Sequence, residues 1–172
     1  MNKVLGAIFV LAASGLLGFQ KGKEYKERIS SLKILESIFT ELLSDIEFGN
    51  INLSESFGRI AHTVPHPYSR FLKNLCGELK WKRGRTFTEI FREEVKQCLG
   101  GTFLAAEDLE NLLKAGESMD GVQRDTQIHV IGDYLRELHK QRIELEETAS
   151  GKQKVSQMLG VSGGVFLLIL LL

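Results

Sequence analysis

Two uncharged apolar runs, one towards each end of the sequence, constrain this chain more than any other feature. The first, VLGAIFVLAASGLLGF, extends from Val4 to Phe19, and the second closes residues 158–172 with FLLILLL. A helix of about 16 residues rises about 24 Å, slightly less than a hydrocarbon core of about 30 Å, so flanking residues would complete each span. We expect transmembrane helices at residues 1–20 and 158–172, enclosing a helical domain at residues 21–157.

Each run also has an alternative interpretation. The first has the length of the apolar core of a signal peptide, and Ala12-Ala13-Ser14 resembles a cleavage site, so the run is either an anchor or a cleaved signal. The second would be a buried core helix if it did not enter a membrane. Small residues one turn apart let helix backbones approach closely. The candidates for packing between the spans are therefore Ser14 and Gly18 in the first run and Gly160 and Gly164 in the second.

Basic residues border the middle of the chain on both sides. They follow the first run and precede the second: Lys21, Lys23, Lys26, Arg28, Lys33, Lys140, Arg142, Lys152 and Lys154. An excess of lysine and arginine next to a span keeps that side of it in the cytoplasm. The sequence thus predicts a hairpin with a cytoplasmic middle and both termini on the other face of the membrane. Cys76 and Cys98 need no disulfide, which agrees with a reducing compartment.

The middle of the chain has the pattern of several amphipathic helices. Between residues 24 and 49, apolar residues recur at steps of three and four, the period of one helix face. Asn52 with Glu55, and Thr86 with Glu89, have the spacing of capping boxes. Helix-stop signals separate the segments: Gly49, Val64-Pro65-His66-Pro67, Gly84, Gly100-Gly101 and Gly116.

No segment shows strand alternation between turn signals, so the sequence predicts an all-α fold. We expect about six helices with short connections, forming either one bundle or two three-helix halves. The fifth helix is expected to end at Gly116, and a long last helix to begin at about Asp120.

The middle shows no pattern that is typical of a catalytic or metal site. It has no glycine-rich phosphate loop, no GxSxG and no cysteine pair at zinc spacing. His62 and His66 are separated by the Val64-Pro65 break, and His129 and His139 fall on different faces of a helix. The 22 basic and 22 acidic residues cancel, so no net field favours nucleic acid. We therefore expect that the protein is not an enzyme and that it binds no cofactor or metal ion.

One dense basic stretch interrupts the middle, KWKRGR at residues 80–85. It is either a solvated turn or a contact with anionic lipid or an acidic protein surface, with Trp81 at the level of the headgroups in the lipid case.

The segment ISSLKILESIFTELLSDIEFGNINLSESFGRIA, residues 29–61, resembles the stage III sporulation protein AB family. In that family a leucine-rich helix ends in an acidic, aromatic, glycine step, matched by Glu47-Phe48-Gly49. A helix containing Leu-Ser-Glu follows, matched by residues 53–55. The resemblance extends over essentially the whole chain, including GAIF near the start and the terminal apolar run.

That family is in turn similar to the F-type inner-membrane platform proteins of type II secretion, which carry a Gly-Glu-x-x-Gly-like turn. Here the corresponding turn is AGESMDG, residues 115–121, followed by Gln127. The sequence departs from the pattern at Asn52, where the family usually has proline, and at Asp120 and Gln123, where glycine and aspartate are expected. The departures at 120 and 123 put a specific role for the turn in doubt and leave the architecture untouched.

The resemblance implies a non-catalytic platform in a secretion-like channel complex between mother cell and forespore. The protein would lie in the outer forespore membrane with its helical domain in the mother cell cytoplasm, within an oligomeric complex that includes a cytoplasmic ATPase. The competing interpretation is a signal-anchored or exported helical binding domain with no motor partner.

Candidate partner-binding residues follow from these motifs and from the basic stretch. They are Phe48, Gly49, Gly116, Glu117, Gln127, Arg83 and Arg85. The alternative for the two glycine steps is that they only end helices.

Overall fold

The computed structural model describes the backbone of residues 2–49, 51–81 and 84–171, and the side chains of residues 23–49, 51–81 and 84–149. The chain divides into two compact units: unit 1 comprises Met1–Ile29 with Ile143–Leu172, and unit 2 comprises Ser30–Arg142. Within the described part of the chain, no helix has both the length and the apolar character that crossing a bilayer requires. The side chains of the two predicted spans lie outside the description, and so do the environments of Ser14, Gly18, Gly160 and Gly164.

The described residues form α-helices and no strand, as the all-α prediction required. The six helices are α1 (Asn2–Glu47), α2 (Leu53–Ile60), α3 (Tyr68–Trp81), α4 (Phe87–Glu94), α5 (Ala106–Met119) and α6 (Arg124–Leu171). The chain continues from α4 directly into a π-helical turn, Val95–Leu99, which the sequence analysis did not predict.

Helix starts follow the capping signals in the sequence. The Asn52 side chain accepts a hydrogen bond from the Glu55 backbone N–H at 3.0 Å. Thr86 and Glu89 form a complete capping box, in which each side chain accepts from the backbone N–H of the other residue, at 3.2 and 3.0 Å. A single cap of this kind stabilises a helix by about 1 kcal/mol, since it satisfies a donor that has no partner in the first turn.

The core of unit 2 is apolar and aromatic. Phe39 of α1 meets Tyr134 of α6 edge to face, with ring centroids 4.6 Å apart, and Phe71 meets Phe91 in the same way at 5.6 Å. Such pairs contribute about 0.5–1.5 kcal/mol beyond the burial of their surface. The largest side chains that are fully buried are Phe39, Phe57, Phe71, Phe91, Leu32, Leu35, Ile38, Leu42, Ile60, Leu72, Leu75 and Leu99. The apolar stripe that the sequence predicts for α1 is this core face.

Within unit 2, charged side chains tie other helices to α1. Glu36 accepts from Arg142 Nε at 2.7 Å and lies 2.9 Å from His139 Nδ1, both on α6. Arg59 of α2 donates to both carboxylate oxygens of Asp45, at 3.0 and 2.6 Å. Two-point contacts fix orientation as well as distance, because the planar guanidinium fits a carboxylate in few arrangements.

The prediction that Gly116 ends the fifth helix is wrong. Helix α5 continues to Met119, and Gly121, with φ of +65°, lies in the turn that follows. Gly116 is buried inside the helix, where an added Cβ would lie 2.3 Å from Phe91 Cδ1. The residue is small because α4 and α5 approach closely there.

The other two glycine stops, Gly49 and Gly84, lie just beyond the described ends of α1 and α3. Helix α1 ends at Glu47, before Gly49, whose backbone passes so close to the Asp45 carbonyl that a Cβ would lie 2.8 Å from that oxygen. Helix α3 ends at Trp81, before Gly84, which has a φ of +77°.

Gly116→Ala is expected to destabilise unit 2 by about 1–3 kcal/mol, because the new methyl group must displace the Phe91 ring in a packed core. The measurement is urea unfolding of the purified full-length chain, followed by circular dichroism. Gly77→Ala is the matched control: Gly77 also lies within a helix, but nothing approaches its position within 4 Å. There the helix preference of alanine should raise stability by up to about 1 kcal/mol. Equal effects at both positions would contradict the packing role of Gly116.

The Glu36 contact gives stability a pH dependence. Burial alone raises the pKa of Glu36, but hydrogen bonds from Arg142 and His139 outweigh it and hold that pKa below its ordinary value of 4.5. A carboxyl whose pKa is lowered on folding stabilises the folded state above the unfolded pKa and loses this effect as the pH falls through the folded pKa.

Glu36→Gln is therefore expected to lower the free energy of unfolding at pH 7 by about 1–2 kcal/mol, and by progressively less below pH 4.5. Urea unfolding of both proteins across this pH range measures the difference. Glu110→Gln is the control, because Glu110 pairs with Lys114 at the surface, where an ion pair contributes about 0.5 kcal/mol or less. A Glu36→Gln deficit that stays constant from neutral to acid pH would contradict the assignment.

Candidate functional site

A groove of about 1250 Å³ opens at the end of unit 2 where α1, α3 and α5 finish and α2, α4 and α6 begin. The motifs singled out in the sequence converge on this end. The lining residues are Ile46, Ile51, Asn52, Leu53, Ser54, Glu55, Leu79, Lys80, Gly84, Arg85, Thr86, Phe87, Ile90, Met119, Asp120, Gly121, Arg124 and Gln127.

The groove brings together part of the predicted partner-binding set. Arg85 and Gln127 line it, and Phe48 and Gly49 lie between the lining residues 46 and 51. Phe48 is 79% exposed, a large exposure for a phenylalanine in a folded unit. The partner-binding role of all four residues remains a prediction.

The other predicted residues lie elsewhere. Gly116 is buried against Phe91, and Glu117 forms an ion pair with Arg92 on the surface between α5 and α4. Neither residue lines the groove. Arg83 lies outside the described residues, so its partner-binding role stays a prediction.

The end of α1 is capped by a residue that is distant in the sequence. Arg124, the first residue of α6, donates from Nε to the Ile46 carbonyl and from Nη2 to the Glu47 carbonyl, both at 2.8 Å. The last carbonyls of a helix lack partners within it and carry partial negative charge, so a guanidinium is well suited to them. Sequence reasoning missed Arg124, because its partners lie 77 and 78 residues away and no local pattern points to them.

The turn between α5 and α6 is held by its own polar side chains. Gln127 Nε2 donates to the Met119 carbonyl at 3.3 Å. Asp120 Oδ2 accepts from both the backbone N–H and the hydroxyl of Thr88, at 3.1 and 2.8 Å, and thereby ties this turn to the first turn of α4. The Asp120 carboxylate therefore has a structural role in this chain.

The basic stretch borders the groove through its described residues. Trp81 is 77% exposed, and Lys80 and Arg85 line the groove. Arg85 forms an ion pair with Glu93 of α4. Among the described residues Lys80 has no ion-pair partner, so its charge remains available.

A second polar cluster surrounds the π-helical turn. Glu94, 9% exposed, accepts from Asn74 Nδ2 at 2.7 Å and lies 3.6 Å from Cys98 Sγ. Burial, reinforced by the Glu94 charge, raises the pKa of the Cys98 thiol. A thiol of raised pKa is a poor nucleophile, because little of it is thiolate at neutral pH. Within residues 23–49, 51–81 and 84–149, no three histidine, cysteine or acidic side chains are placed to hold a metal ion.

Arg124→Met is expected to lower the free energy of unfolding by about 1–2 kcal/mol, because it removes two hydrogen bonds from a charged donor to carbonyls at a helix end. Urea unfolding of the full-length chain measures the change. Arg136→Met is the matched control on the same helix: Arg136 pairs only with the exposed Asp133 in the described structure, and its loss should cost about 0.5 kcal/mol or less. If the two substitutions cost the same, Arg124 does not cap α1 in solution.

Comparison with known proteins places this architecture in one family. A model of the family described as stage III sporulation protein AB matches residues 3–172. The stage III sporulation protein AB of Bacillus subtilis (strain 168) is 25% identical over 172 residues, covering 100% of each chain. A solved structure of a stage III sporulation protein AB has a TM-score of 0.65 at 20% identity, covering 72% of this chain and 97% of that one, which shows a shared fold. Since the family match spans nearly the whole sequence, the chain belongs to the stage III sporulation protein AB family.

Proposed function

We propose that this protein is a non-catalytic membrane platform of a secretion-like channel complex between mother cell and forespore, and that it couples the complex to a cytoplasmic ATPase. The observation that carries the proposal is the match to a stage III sporulation family over residues 3–172, in a chain whose helical unit lies between two apolar runs. The family is named for sporulation and for no catalytic activity.

The proposed position is the outer forespore membrane, with residues 1–20 and 158–172 as spans and both termini outside the cytoplasm. The basic residues next to both runs support this orientation, since lysine and arginine near a span remain on the cytoplasmic side. Unit 2 would then face the mother cell cytoplasm, where an ATPase has access to it.

The proposed mechanism is mechanical. Within unit 2, α1 and α6 run antiparallel and are tied at two places, by Arg124 on the Ile46 and Glu47 carbonyls and by Glu36 on Arg142 and His139. A force applied at the groove would pass along a helix pair that is fixed near both its ends. Residues 30 and 142, where this pair leaves unit 2, lead on in sequence to the two predicted spans.

Topology separates this proposal from the exported binding domain. The exposed bend at Gly84 is suitable for inserting a reporter, because exposed loops tolerate insertions best. A fluorescent protein inserted there in the full-length chain should fluoresce, and alkaline phosphatase at the same site should be inactive. The reverse pattern, or a mature chain lacking its first 20 residues, would favour the exported domain and end the platform proposal.

The ATPase coupling has its own test. The tagged full-length chain, extracted with detergent from sporulating cells, should retain the ATPase of the channel complex. A parallel extraction from cells carrying the tag on an unrelated two-span membrane protein controls for carry-over. Correct topology with no retained ATPase would leave a membrane protein of the complex and remove its coupling role.

A further inference from the structure

We draw no further inference here: the strongest candidate, the buried cluster of Tyr68, Tyr134 and Asp108 in the core of unit 2, leaves two tyrosine hydroxyls without a hydrogen-bond partner among the described residues, and nothing in the structure shows which group would bind to them.

Discussion

The antiparallel pairing of α1 with α6 is the constraint on which the rest of unit 2 depends. These helices come from opposite ends of the sequence, and two charged contacts hold them, the Arg124 guanidinium on the carbonyls of α1 and the Glu36 carboxylate on Arg142 and His139. Between these contacts Phe39 packs on Tyr134. The shorter helices α2 to α5 lie between α1 and α6 in sequence, so the pairing closes a loop of the 76 residues between Glu47 and Arg124. Closing so long a loop costs entropy, which the buried side chains of all six helices must offset together.

The end of unit 2 beside the groove has two kinds of side chain. Some bind the backbone at helix ends, and others are aromatic and exposed to solvent. Arg124 binds the Ile46 and Glu47 carbonyls at the end of α1, and Asp120 accepts from the Thr88 N–H in the first turn of α4. The aromatic side chains of Phe48 and Trp81 at this end are not buried.

The parts of this fold that the sequence predicted correctly are those that depend on neighbours in the chain. The apolar stripe of α1 and the Thr86–Glu89 box need only residues within a few positions, and both are present as predicted. Gly116 was misread because a glycine near the end of an apolar pattern is also typical of a helix stop. What decides its role is the Phe91 ring on another helix. Arg124 was missed for the same reason, since its carbonyl partners are distant in sequence. For the candidate site, the sequence predicted Phe48, Arg85 and Gln127, which lie in or beside the groove. It also predicted Glu117, which pairs with Arg92 outside the groove, and no local pattern could reveal this difference.

The π-helical turn at Val95–Leu99 has a consequence for how this region tolerates change in length. A π-turn holds one residue more per turn than an α-helix, and every side chain beyond it is rotated accordingly. Val95 and Leu99 are both buried, while Cys98 faces the Glu94 carboxylate. Deleting one residue here would restore regular α-helix and leave the side chains beyond it close to their present orientation, because the wide turn accommodates one extra residue. A one-residue deletion within Val95–Leu99 should therefore disturb the core less than a deletion elsewhere in the helix.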